Sequence, residues 1–330
     1  MDGFSETILR WYALYGRDLP WRHTRDPYPV WLSEIILQQT RVVQGTAYWQ
    51  RFLERFPRIE DLAAASEDEV LRLWQGLGYY SRARNLHAAA RQVAAMGAFP
   101  RTLEGLRSLK GVGDYTAAAI GSICFGLPEP VVDGNVYRVL ARHFGIDTPV
   151  GTPEAWKTFK ALAGRLLPPE DPAAFNQGMM DFGALQCTPQ NPGCLTCPLQ
   201  GTCNAFATGR VQLLPVKKPA TPVQERHFSY IYLRFQGETA IRQRGPGDIW
   251  QGLWEPVSQD PPPGRIASKP RLIKAGVKHQ LTHRTLVVDF YLWEPAQRPA
   301  LPEGCVWIKE AELDKYAKPR LFERLLELIP

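Results

Sequence analysis

Apolar residues recur at three- and four-residue steps through roughly the first two thirds of the chain, and then switch to alternation. The first pattern predicts helices over Phe4 to Tyr15, Val30 to Phe56, Glu67 to Trp74, Ser81 to Met96, Leu103 to Leu109, Tyr115 to Phe125, Asn135 to Phe144 and Pro153 to Leu166. Short loops bearing Gly or Pro separate them, and no strand pattern interrupts before about residue 226. The stretch ATGRVQLLPVKKPATPVQE, residues 207–225, is rich in Pro, Lys and Thr and reads as a linker. Beyond it, HFSYIYLRF and TLVVDFYLW alternate apolar and polar positions as half-buried strands do, and Leu321 to Ile329 predicts a closing helix. The expected organisation is a mainly α domain over 1–206, a linker over 207–225 and a small α+β domain over 226–330, without repeats or low-complexity tracts.

Composition fits two packed domains: 330 residues, 45% of them hydrophobic. No run is long enough to cross a membrane, and MDGFSETILRWYALYGRDL has no apolar signal core, so a cytoplasmic protein is expected, nucleoid-associated if bacterial. The net charge of +6 favours an anionic partner. Residues 1–206 carry 20 basic and 20 acidic side chains, so 207–330 supply the excess with 19 against 13. Within the neutral part, residues 71–110 hold seven basic side chains against Glu104, while acidic residues gather at 54–69. A polyanion is expected on the basic face, with Arg82 and Arg84 among its phosphate contacts.

Cys187, Cys194, Cys197 and Cys203 fall within seventeen residues, spaced C-x6-C-x2-C-x5-C. Prolines and glycines keep the segment out of helix, so it can wrap a metal centre. Disulfides are disfavoured because nothing else suggests secretion. Zinc is a rival, but the six-residue gap is wider than paired zinc ligands show, which favours a single [4Fe–4S] cluster. Residues 102–126, TLEGLRSLKGVGDYTAAAIGSICFG, read as helix, Gly-Val-Gly turn, helix. Glycines 111 and 113 permit positive φ and close approach, and the free amides opening the second helix would hold an anion. Asp133 precedes GNVYRVLARHF as an N-cap, where amides and the helix dipole favour its ionised form.

Together these features resemble the helix-hairpin-helix DNA glycosylases, over residues 1–206. The bifunctional endonuclease III branch has a lysine two residues after the second hairpin glycine; here that residue is Tyr115, so no Schiff base can form there. The chain therefore resembles the MutY branch, monofunctional enzymes that remove adenine mispaired with 8-oxoguanine or guanine. LPWRHTRDPYPVWLSEIILQQT, GLGYYSRARNLH and FNQGMMDFGALQC are similar to that branch's catalytic, DNA-inserting and adenine-pocket segments.

By this resemblance Glu34 is the catalytic acid, kept protonated by an apolar site, and Asp133 is the carboxylate that faces the cationic sugar. Tyr115 and Asn135 would position sugar, water and aspartate. Arg22, Gln177 and Asp181 would bond adenine, with Gln177 and Asp181 four apart on one helix so that both can face the pocket. Gln39 and Tyr79 would fill the gap left by the flipped base, with Gln38 and Tyr80 as neighbours that could be confused with them. Gly111, Val112 and Gly113 would grip the DNA backbone. The cluster's family role is structural and DNA-positioning, yet residues 187–203 contain no Lys or Arg to reach phosphate.

Residues 226–330 resemble the Nudix-like domain that this branch uses to recognise 8-oxoguanine, without the REx2EE carboxylates of a Nudix hydrolase. Its Phe-Ser-His sensor loop matches Leu281, Thr282 and His283; the hydroxyl and imidazole are kept, and the apolar wedge loses its ring. The implied fold is a mainly α helix-hairpin-helix glycosylase domain with a [4Fe–4S] loop plus an α+β Nudix-like domain. The implied partner is duplex DNA, bound by a monomer, with the linker as a docking strip for repair proteins. Rival readings are a bifunctional glycosylase/lyase, a non-catalytic DNA-binding protein and a Nudix hydrolase with a DNA-binding appendage. Tyr115, the paired Glu34 and Asp133, and the missing box argue against them in turn.

Overall fold

The computed structural model describes residues 3–219, 223–259 and 270–330. The chain divides into two compact units, Met1–Glu60 with Ala88–Pro219, and Asp61–His87 with Ala220–Pro330. Its helices are α1 (Gly3–Tyr15), α2 (Pro27–Ile36), α3 (Val42–Arg55), α4 (Ile59–Ala64), α5 (Glu67–Trp74), α6 (Ser81–Met96), α7 (Leu103–Ser108), α8 (Asp114–Phe125), α9 (Gly134–Phe144), α10 (Pro153–Leu166), α11 (Pro172–Asp181), α12 (Asn204–Ala207) and α13 (Arg320–Leu326). None is long and apolar enough to cross a membrane.

In the first unit α8 is buried from Thr116 through Ile123, a helix apolar on every side and hence central. Its small residues Ala118 and Ala119 let Val30 of α2, Val131 and Met180 close in on it. That packing brings the α2 side chains beside Tyr115. A second core joins α1, α9, α10 and α11 through Phe4, Ile8, Leu140, Phe159 and Phe175.

The expected single helix over Val30 to Phe56 is two helices. α2 stops at Ile36, Gln39 adopts a left-handed φ of 57°, and α3 starts at Val42. The turn contains no Gly or Pro. It is held instead by the Gln38 amide on Thr116 (3.3 Å) and by α3 folding back on Leu37 at Gly45, where a Cβ would stand 2.6 Å from Leu37 Cδ2. Residues 207–219, expected to begin the linker, pack on this unit. Arg142 Nε donates to the carbonyls of Val211 (2.9 Å) and Leu214 (3.1 Å), and Val150 N bonds Val216 O at 2.9 Å.

The second unit holds a mixed sheet of β1 (Gln224–Phe235), β2 (Glu238–Gln243), β3 (Trp254–Gln259), β4 (Arg271–Gln280), β5 (Arg284–Trp293) and β6 (Cys305–Lys309). The order is β4-β5-β1-β3-β2-β6, with β1 and β5 parallel. β5 alternates as expected, burying Leu286, Val288, Phe290 and Leu292. β1 does not: it is buried on both faces from Phe228 to Leu233, including Ser229. Phe228, Tyr230 and Tyr232 share a core with Leu321, Phe322 and Leu325 of α13, while Ile231 and Leu233 pack with Ala240 and Val257 on the other face.

Residues 61–87 belong to this unit. Lys318 N donates to Gln75 Oε1 (3.1 Å), Tyr80 Oη to Lys318 O (3.4 Å) and Arg84 Nη1 to Gln251 O (2.6 Å).

Candidate active site

A cavity of about 540 Å³ opens in the first unit. Arg22, Glu34, Gln38, Gln39, Tyr115, Asp133, Asn135 and Gln177 are among the residues lining it, and among the described residues no lysine lines it. Four elements supply these residues: α2 with its following turn, the start of α8, the start of α9, and α11.

Glu34 is 9% exposed on the buried face of α2. Burial pushes its pKa up to about 7, and the nearby Asp133 charge pushes the same way; the Tyr115 hydroxyl bonded to its carboxyl and the charge of Arg22 oppose the rise. Tyr115 Oη also contacts Met180 Sδ at 3.5 Å, and burial lifts its own pKa well above the tyrosine value.

Asp133 caps α9. Its Oδ1 accepts from the amides of Asn135 and Val136, both at 2.8 Å, and its Oδ2 from Asn135 Nδ2 at 2.8 Å. Burial raises its pKa above the usual aspartate value, against the pull of those N–H donors and of Arg138. The amide cage expected from the N-cap position is present, while the net direction is upward because burial outweighs it. Arg138 ties the cage down: Nη2 donates to Asn135 Oδ1 (2.8 Å) and Gly183 O (2.6 Å), and Nε to Cys187 O (2.7 Å). Gly183, in the wide turn Phe182–Gln186, is required there, because a Cβ would stand 2.6 Å from Asn135 Cβ and 3.0 Å from its backbone.

Gln177 faces the cavity and accepts from Tyr12 Oη at 2.6 Å. Asp181 does not face it. That side chain is fully buried behind the wall, gripping Arg22 Nη1 (2.6 Å) and Nη2 (2.9 Å), Arg17 N (2.8 Å) and Arg17 Nε (2.8 Å). Burial alone would raise its pKa, but the bonds from Arg22 and Arg17 outweigh it and hold the carboxyl below the usual range. Of the predicted pair, one faces the cavity and the other orients its arginine. Tyr12, Arg17 and Arg138 went unread in the sequence: the partners of Tyr12 and Arg17 are remote along the chain, as are two of those of Arg138, Gly183 and Cys187.

Backbone conformation separates the confusable neighbours. Gln39 is exposed at φ 57°, whereas the Gln38 amide is held by Thr116. In the second unit Tyr79 is 50% exposed at φ 46°, whereas Tyr80 is buried. Non-glycine residues in this conformation mark positions that the surroundings hold against local preference. Thr282 and His283 are exposed in the β4–β5 turn, and Thr282 Oγ1 lies 2.6 Å from Tyr79 Oη. Leu281 packs on the sheet core, so it is no free wedge. Arg82 and Arg84, expected at phosphate, are turned to backbone carbonyls: Arg82 Nη2 to Leu77 O (3.2 Å) and Gly78 O (3.3 Å), and Arg84 to Gln251 O.

In the hairpin, Gly111 has φ 75°, whereas Gly113 is extended at φ −90° with nothing within 4 Å of a Cβ. Gly113 thus leaves space rather than making a turn. It caps α8 with no side chain on the first amides, and Asp114 is drawn aside by Arg107 at 2.6 Å.

Cys187, Cys194, Cys197 and Cys203 all line one small void of about 30 Å³ with Arg142, which bonds Cys187 Sγ (3.4 Å) and Thr188 O (2.7 Å). None of the four forms a disulfide. Among the described residues no three His, Cys, Asp or Glu side chains converge closely enough to hold one ion directly.

Known proteins fit this arrangement. Residues 32–164 match the HhH-GPD superfamily base excision DNA repair protein family, and residues 229–328 match the NUDIX domain. An adenine DNA glycosylase of Buchnera aphidicola subsp. Schizaphis graminum is 37% identical over 254 residues, 76% of this chain and 73% of that protein. The one of Buchnera aphidicola subsp. Baizongia pistaciae is 34% identical over 300 residues, 87% and 84%. The human adenine DNA glycosylase is 45% identical over 216 residues, which cover 62% of this chain and 40% of the human one. Among solved structures, a thermostable thymine-DNA glycosylase is 33% identical with a TM-score of 0.58, over 62% of this chain and 95% of that one. With both of its parts matched and adenine DNA glycosylases aligned over most of its length, the chain belongs to the MutY-type adenine DNA glycosylase family of base-excision repair.

Proposed function

We propose that this adenine glycosylase acts on adenine opposite 8-oxoguanine or guanine, and that it hydrolyses the glycosidic bond without cutting the strand. The observation that carries the reading is the contrast between two carboxyl groups lining one cavity. Glu34 is pushed to about 7 and bonds one hydroxyl, whereas Asp133 accepts three N–H bonds. Glu34 therefore keeps much of its proton near neutral pH, while the three N–H donors favour the charged form of Asp133 against the burial that raises its pKa.

Neutral adenine is a poor anionic leaving group. Glu34 lends its proton to a ring nitrogen, N7 in the family mechanism, and the base departs neutral. Positive charge builds on the sugar, and the Asp133 carboxylate stabilises it until water adds, the water's proton passing to the Glu34 carboxylate. Tyr115 holds the Glu34 carboxyl, and Asn135 and Arg138 hold Asp133 in place. Gln177 and Arg22 bond the flipped base, with Asp181 fixing the Arg22 guanidinium. The absence of lysine from the lining residues supports hydrolysis over Schiff-base chemistry. Gln39 and Tyr79 fill the vacated stack, Thr282 and His283 meet 8-oxoguanine, and the free amides after Gly113 bind a phosphate.

The cysteine loop is proposed to hold a [4Fe–4S] cluster. The four cysteines around a shared void are the residues that would hold it, and their C-x6-C-x2-C-x5-C spacing favours it over a single zinc ion. When bound it supplies a fixed scaffold for residues 187–203, and base removal draws no electrons from it. Through Arg138 on Cys187 O, that scaffold also steadies the Asp133 cage.

The test is a duplex with one adenine opposite 8-oxoguanine, incubated with and without later alkali. Breakage only after alkali, lost in Glu34→Gln, is the expected result. Breakage without alkali would overturn the hydrolytic reading.

A further inference from the structure

The second unit carries a clamp on Tyr79. Gly76 (φ 97°), Gly78 (φ 69°) and Tyr79 (φ 46°) form a turn in which Tyr79 alone lacks glycine's freedom. Several bonds converge on it. Trp74 Nε1 donates to Gly78 O at 3.0 Å, and Arg82 Nη2 reaches the carbonyls of Leu77 and Gly78. The Arg82 guanidinium lies over the Trp74 ring at 5.0 Å and over the Tyr79 ring at 5.5 Å from their centroids. At the far end of the ring the Tyr79 hydroxyl meets Thr282 at 2.6 Å.

A planar cation over two aromatic faces, with its Nη2 shared between two successive carbonyls of the strained turn, orients a ring. It is poorly placed to reach phosphate at the same time. Burial, which pulls the Arg82 pKa down to about 10, agrees with an inward role.

We propose that Arg82 is the positioning residue for Tyr79, presenting its ring and hydroxyl to the lesion side beside Thr282, and so sets the preference for 8-oxoguanine over guanine opposite adenine. This rests on the proposed insertion of Tyr79 and sensing by Thr282. A side chain that served as a phosphate contact would act instead on overall affinity, whatever the base.

The decisive comparison uses Arg82→Lys and Arg82→Gln in the full-length protein. Single-turnover rates would be measured on duplexes with adenine opposite 8-oxoguanine and opposite guanine, alongside the salt dependence of binding. Lysine keeps the charge but loses the planar fork. Both variants are expected to lower the 8-oxoguanine-to-guanine rate ratio about tenfold, with the salt slope unchanged. Full rescue by lysine, together with a slope shallower by about 0.9 in Arg82→Gln, would mean a phosphate contact and overturn the proposal.

Melting curves report whether either variant loosens the fold, and a second measurement stands regardless. Adding Tyr79→Ala to Arg82→Lys should lower the ratio no further than Tyr79→Ala alone, because Arg82 acts through that ring. Independent, multiplying losses would overturn the proposal. A parent protein that prefers 8-oxoguanine while its Arg82 variants are unaffected overturns this inference alone. A parent with no preference, or no adenine release, overturns the underlying functional reading and this inference with it.

Discussion

Glu34 holds a proton at a pH where an exposed glutamate has lost it, and folding bears the consequence. Between pH 4.5 and about 7 the unfolded chain releases this proton while the folded chain keeps it, so the folded state binds more protons and stability falls as pH rises. Above pH 7 the full cost applies, on the order of 3 kcal/mol. Glu34→Gln, neutral and nearly the same shape, should therefore melt several degrees higher than the parent at pH 8. Near pH 4.5 the two should melt together, and a gap that does not grow with pH would contradict a buried, raised carboxyl. In the proposed mechanism the same proton serves base release, so the single-turnover rate should decline above about pH 7.

Asp181 has the opposite sign. Its pKa is held below the usual value, so its contribution is present above about pH 4 and is lost as pH falls through the folded value. Asp181→Asn leaves Arg17 and Arg22 without their counter-charge. It should cost about 2–3 kcal/mol, at the low end for a buried pair because Arg17 is partly exposed. Denaturant melts at pH 7 and pH 3 would show that loss shrinking in acid. The types and spacing of Glu34, Asp133 and Gln177 were legible in the sequence. The turning of Asp181 away from the cavity was not, since its partners lie 159 and 164 residues away.

At the scale of elements, periodicity located α5, α6 and α10 to the residue, because each is amphipathic between clear stop signals. It joined α2 to α3 wrongly, because Gln38, Gln39 and Thr40 carry no breaker and the bend is imposed by tertiary contacts. Ser229 misled in the same way: a polar residue in alternation predicts an exposed face, but the sheet is covered on both sides. Two glycines show how far a residue type alone can be read. Gly183→Ala drives a Cβ into the backbone at Asn135, which has no flexible end to yield. It should cost roughly 1–3 kcal/mol and, by displacing the Asp133 cage, reduce base release by tenfold or more. Gly113→Ala meets nothing and has an ordinary φ, so its melting temperature should match the parent. Its DNA affinity should fall instead, because the new methyl stands before the amides of α8. Melting and binding measured on the same pair of variants would separate the two, and an unstable Gly113→Ala would refute the open-space reading.

For the molecule as a whole, sequence order and structural grouping diverge. Periodicity suggested one helical domain running unbroken to residue 206, yet residues 61–87 cluster with the sheet-bearing unit. An amphipathic pattern such as Val70, Leu71 and Trp74 says that α5 buries a face and not which core receives it. The consequence can be tested on a fragment ending at residue 219. It retains the cavity, the cysteine loop and the core of α1, α9, α10 and α11, so it should fold and release adenine opposite guanine. It lacks Gln251, which bonds Arg84, Lys318, which bonds Gln75 and Tyr80, and Glu323, which bonds Gln75 in the intact chain. The segment 61–87 should then open locally. Limited trypsin digestion, mapped by mass, should cut after Arg72, Arg82 and Arg84 in the fragment well before it does so in the full chain. The proposed preference for 8-oxoguanine should vanish as well, both because Thr282 and His283 are gone and because the Tyr79 turn has lost its latch. A fragment that resists trypsin there yet loses the preference would assign recognition to the β4–β5 turn alone. One that keeps the preference would place lesion sensing wholly outside the second unit's sheet.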